Sequence, residues 1–171
     1  PYPEIEAARL GELIAGCARH GVKFFYALGP GLDLRFSDAV DREHLRARLA
    51  QMLDLGGRHF ALLFDDIPDR MRDEDRTRFG SFAAAQADVA NELLAFVRGR
   101  VPGARLLFCP TPYCGRMAAT GLGGACYLET LGRVLHPDIG VFWTGPEIIS
   151  REITVPHVRE VAALLRRPPV I

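Results

Sequence analysis

Short apolar runs rich in β-formers alternate with longer segments of helical period, and this alternation restricts the chain to α/β folds more than any other feature. The runs cover residues 23–28, 59–64, 105–109 and 140–144, and a fifth begins at Val170. Each is stopped by turn chemistry: Gly29-Pro30-Gly31, Asp65-Asp66-Ile67-Pro68, Pro110 and Gly145-Pro146. None alternates apolar with polar residues, which predicts strands covered on both faces.

Between the runs the period changes. Leu10, Leu13, Ile14 and Cys17 share one face before the first strand, and Leu45, Leu49, Met52 and Leu53 do so before the second. Phe82, Val89, Leu93 and Phe96 precede the third, in a helix expected to start near Asp73. Val158, Val161, Ala162 and Leu165 precede the fifth, and residues 125–135 form a shorter helix candidate. Such stripes pack helices against a sheet. The glycine-rich stretch 120–124 reads as a loop.

Strand starts at 23, 59, 105, 140 and about 169 suit right-handed βαβ crossovers. Two architectures fit: an open doubly wound sheet, or part of a (β/α)8 TIM barrel. No glycine-rich phosphate loop follows the first strand, which disfavours the nucleotide-binding version. A full barrel needs about 250 residues. The 171 residues here would form one incomplete barrel domain of about four strands and part of a fifth, cut at both ends.

Lys and Arg number 21, as do Asp and Glu, so no basic field points to nucleic acid or a membrane surface. The apolar runs fall far short of the ~20 residues that span a bilayer. The first residue is Pro1, so a secretory leader upstream stays open; without one, the cytoplasm is the default compartment. Oligomeric state is not legible. The four cysteines read as reduced, packed thiols. A zinc site from Cys109, Cys114, Cys126 and His136 has no familiar ligand spacing.

Asp65-Asp66 is the sharpest chemical feature. Two adjacent carboxylates at a strand's end stand where barrel chemistry gathers, and they resist simultaneous ionisation, leaving a proton donor beside an anion. The competing reading is a turn cap and a solvated neighbour. Asp65, Asp66 and Asp69 also spell a D-D-x-x-D metal motif, but that motif belongs on a helix, and Pro68 opposes one. Tyr113, after the third strand, either donates into the strand mouth or packs in its loop. Trp143 is either an apolar wall for a sugar ring or core. The five histidines lie away from the mouth and read as structural or solvated.

Four stretches, taken together, resemble glycoside hydrolase family 84, which holds protein O-GlcNAcases and hyaluronidase-like bacterial β-N-acetylglucosaminidases. They are residues 24–33, 60–67, 107–115 and 143–153. The resemblance implies a (β/α)8 catalytic barrel and retaining, substrate-assisted hydrolysis of terminal β-linked N-acetylglucosamine, with no cofactor or metal. It implies that Asp65 orients and polarises the substrate acetamide, that Asp66 is general acid then base, and that Tyr113 supports the acetamide oxygen. Thr144 and Ile148 match positions lining the sugar pocket, with Cys109 and Trp143 as further contacts.

Adjacent aspartates suit this chemistry. A separate acid and nucleophile flanking a glycosidic bond need ~5 Å or more between them. If the acetamide oxygen is the nucleophile, both carboxylates can work from one side. The family's G-F-Y-G run with its lysine, and its W-D-N and N-D-Y-D segments, are not found in this chain, so the isolated stretch is expected to lack much of the pocket. A non-catalytic carbohydrate-binding barrel and a metal-dependent lyase or synthase are the alternatives.

Overall fold

A computed structural model describes residues 1–67 and 70–171. The chain alternates helix and strand as α1 (Glu4–Arg19), β1 (Phe25–Leu28), α2 (Ala39–Asp54), β2 (His59–Leu63), α3 (Asp73–Phe79), α4 (Phe82–Arg100), β3 (Arg105–Cys109), α5 (Gly115–Ala119), α6 (Tyr127–Val134), β4 (Gly140–Val141) and α7 (Val155–Leu165). The four strands form one parallel sheet in the order β1-β2-β3-β4. The fifth run joins at its first residues: Val170 donates to the Val141 carbonyl at 2.7 Å and accepts from Trp143 N–H at 2.9 Å.

Spatial order follows chain order, without the reversal that marks a doubly wound sheet. The helices also pack in succession, α2 on α4, α4 on α6 and α6 on α7. Two of the longer helices, α2 and α4, begin where a side chain takes up free backbone donors. Asp38 accepts from Val40 and Asp41 N–H at 2.8 and 3.0 Å to start α2, and Ser81 accepts from Ala84 N–H at 3.2 Å to start α4. The single helix expected from Asp73 is therefore two: Gly80, at φ 74°, ends α3, and Ser81 restarts the chain as α4.

The two faces of the sheet differ. Tyr26, Phe60, Leu62, Leu106, Phe108 and Val141 are buried in one cluster with Leu49, Met52, Leu93 and Val97 of the helices. On the other face Ala61 is buried, Ala27 is exposed, and Phe25, Leu107 and Cys109 are half-buried. The expectation of full cover on both faces thus holds only on the helix side. The stripe of α1 also needs correction: Ile14 is buried, whereas Leu13 is 51% exposed.

Candidate active site

The C-terminal ends of three neighbouring strands converge on one place. Phe64 closes β2 by donating its N–H to the Cys109 carbonyl at 3.0 Å, and the chain then turns through a half-buried Asp65 and an exposed Asp66. β3 ends at Cys109 and passes through buried Pro110, Thr111 and Pro112 to a half-buried Tyr113. After β4, Thr144 donates its N–H to the Tyr113 carbonyl at 3.0 Å, while its hydroxyl donates to the Glu147 carbonyl at 2.9 Å. Backbone hydrogen bonds thus stitch the β4 loop to the β3 loop.

Burial pushes the Cys109 thiol up to about 12, and the charge of Asp65 adds to the rise. The Tyr113 phenol is also raised, by burial first and then by Cys114, Asp65, Cys109 and Asp66. A negative neighbour opposes formation of a second negative charge, so the aspartates push in the same direction as burial. The rise keeps the Tyr113 phenol protonated, with a hydroxyl proton available to donate. Among the described residues, neither carboxylate is in an ion pair.

The remaining candidates separate. Ile148 is 42% exposed in the turn after Gly145. That turn requires glycine: at φ 96° a Cβ would stand 2.6 Å from Ser150 Oγ. Trp143 is corrected from sugar wall to core. It is 1% exposed, donates its indole N–H to His157 Nε2 at 2.9 Å, and borders a cavity of about 320 Å³ with Leu128, Val161 and Leu164. The strand pleat sends Trp143 to the same side as Val141, toward the helices. A larger cavity of about 510 Å³ lies between the start of α4 and the glycine-rich loop, and neither aspartate lines it.

Among the described residues, no three His, Cys, Asp or Glu side chains gather as a metal site. Cys114 is buried and Cys126 exposed, and both are free thiols. Asp69, the third member of the D-D-x-x-D reading, lies outside the described residues. Sequence reasoning missed Gln86, Thr111 and Tyr127, which form a buried polar group beside Phe64. Their partners are 16 to 47 residues away, so no local pattern announces them.

A parallel α/β sheet that gathers adjacent carboxylates, a tyrosine and a threonine at successive strand C-termini has the layout of the α/β enzymes. The chain belongs to the β-N-acetylglucosaminidase family (NAGidase), whose model matches residues 1–171. It is 40% identical over 170 residues to the Protein O-GlcNAcase of Rattus norvegicus, and equally to that of Mus musculus. Each match covers 99% of this chain and 18% of the relative. A solved mutant of the O-GlcNAc hydrolase of Thermobaculum terrenum superposes with a TM-score of 0.90 at 34% identity, covering 99% of this chain and 36% of that one. The chain therefore spans about a fifth to a third of the length of these relatives.

Proposed function

We propose that this chain is the catalytic-carboxylate part of a retaining β-N-acetylglucosaminidase acting on terminal β-linked N-acetylglucosamine, with O-GlcNAc-type glycosides as substrates. The names of the relatives support the substrate class. Residues 1–171 contribute four strands and the start of a fifth to one (β/α)8 barrel, a reading supported by the sequential parallel order and the partly uncovered sheet face.

Asp65 orients the 2-acetamido N–H and offsets the positive charge that develops as the acetamide oxygen attacks the anomeric carbon. Asp66, the more exposed of the pair, gives its proton to the leaving oxygen and later takes one from water. Tyr113 donates to the acetamide oxygen and holds it for attack, while Thr144, Ile148 and Cys109 border the sugar. The observation that carries this reading is geometric: β2 and β3 are adjacent and parallel, Phe64 N–H is bonded to the Cys109 carbonyl at 3.0 Å, and the Asp65-Asp66 turn and the Tyr113 loop therefore leave the sheet side by side at its C-terminal edge. Aryl N-acetylglucosaminides of graded leaving-group ability test it. Asp66→Asn should lose most with poor leaving groups and least with good ones, and Asp65→Asn should lose on both. Wild-type rates in both variants on every substrate would refute it.

A further inference from the structure

We propose that Thr111 is a positioning residue that couples the Asp65-Asp66 pair to Tyr113, an inference resting on the active-site reading above. Thr111 is 1% exposed. Its hydroxyl donates to the Phe64 carbonyl at 2.8 Å, on the residue that immediately precedes Asp65. The same oxygen accepts from Gln86 Nε2 at 3.0 Å, and the Thr111 N–H donates to the Tyr127 hydroxyl at 3.3 Å. The Tyr127 hydroxyl in turn donates to Gln86 Oε1, closing a ring of three residues through the Thr111 backbone N–H. Gln86 is fully buried and Tyr127 is 4% exposed.

The proton count fixes the direction of every bond. Gln86 Nε2 can only donate to Thr111 Oγ1, so the single hydroxyl proton of Thr111 must go to Phe64. That bond ties the end of β2, one residue before the carboxylates, to the loop two residues before Tyr113. The other side of the ring is anchored on α4 by Gln86 and on α6 by Tyr127. Buried and fully partnered, the ring resists deformation, and it therefore sets the spacing between the carboxylate loop and the tyrosine loop. A reacting geometry displaced by about 1 Å forfeits roughly a hundredfold in rate.

The test compares Thr111→Val, Thr111→Ser, Tyr127→Phe and Asp65→Asn in the intact protein, with thermal unfolding measured for each. Thr111→Val removes the hydroxyl at constant shape. It should lower kcat by about 10- to 100-fold with KM within about threefold, equally for good and poor leaving groups. Thr111→Ser should restore kcat to within about threefold of wild type. A folded Thr111→Val protein with wild-type kcat, or a serine variant as slow as the valine one, overturns the coupling. If Thr111→Val does not fold, Tyr127→Phe decides: a several-fold loss of kcat at unchanged fold supports the coupling, and wild-type kcat overturns it. Should Asp65→Asn itself keep full activity, the active-site reading fails. If Asp65→Asn is crippled while Thr111→Val is not, only the coupling fails.

Discussion

Gly132 of α6 lies so close under the last turn of α7 that a Cβ there would stand 2.3 Å from the Leu164 carbonyl oxygen and 2.7 Å from the Leu165 carbonyl carbon. Both obstacles are backbone, so no rotamer change relieves them. Gly132→Ala must push α7 away from α6 and open the core around Leu131 and Leu165, which are fully buried. The expected cost is about 2–3 kcal/mol, partly offset by the better helix propensity of alanine. Chemical denaturation should show the midpoint falling with an unchanged slope. A wild-type midpoint would mean that the two helices separate freely.

Asp75 holds the loop after β1 from the far side. It is 1% exposed, and its carboxylate accepts from Phe36 N–H at 3.1 Å and Ser37 N–H at 2.6 Å. Phe36 then packs against Phe64, 6.1 Å between centroids with the rings tilted by 34°, just before the paired aspartates. Asp75→Ala leaves two donors unsatisfied and should destabilise by about 2–3 kcal/mol, whereas Asp75→Asn keeps one acceptor and should cost about half as much. Thermal unfolding distinguishes them; equal losses would show that the carboxylate charge, not the acceptor count, matters.

The order of elements was legible because apolar runs and helical stripes are local signals. All four strands and the entry of Val170 fall where the runs predict, and α7 buries Val161 and Leu165 as its period requires. What the sequence could not disclose depends on distant partners. By sequence Trp143 suits a sugar wall and the core equally; its burial and its bond to His157, 14 residues on, place it in the core. The position of Asp65 and Asp66 beside Tyr113 follows from adjacent parallel strands, but nothing near Thr111 in sequence announces Gln86 or the Phe64 carbonyl. The break between α3 and α4 was written in Gly80-Ser81, a C-terminal stop followed by a cap, and a stripe count passes over it.

Cysteine reactivity reports on the charge of Asp65. Cys109 is half-buried with its thiol raised to about 12, so almost none is thiolate near neutral pH. Cys126 is exposed at the start of α6, just after the glycine-rich loop. Iodoacetamide at pH 8 should modify Cys126 first and Cys109 slowly, read by peptide mass mapping. Removing one anion with Asp65→Asn should lower the Cys109 pKa and speed its alkylation, while burial, the larger cause, keeps it slower than Cys126. An unchanged Cys109 rate in that variant would place the two side chains too far apart for the proposed site.

Acid should weaken the same end of the molecule through Asp41. Arg35 donates from Nε to Asp41 Oδ2 at 2.9 Å and from Nη2 to Oδ1 at 3.0 Å, and its own N–H adds a third bond at 2.9 Å. These bonds hold the Asp41 carboxyl at about 2, below its ordinary value of 3.8. Between those values the unfolded chain binds the proton and the folded chain does not, so folding loses stability as pH falls. The contribution is complete above about pH 5 and disappears on approaching pH 2. Arg35 is 42% exposed, so the effect is modest and should shrink in high salt. The expected result is a wild-type advantage over Asp41→Asn in thermal midpoint at pH 6 that narrows steadily below pH 4. A gap of constant size from pH 6 to pH 2 would show that Asp41 stabilises the loop without any linked proton.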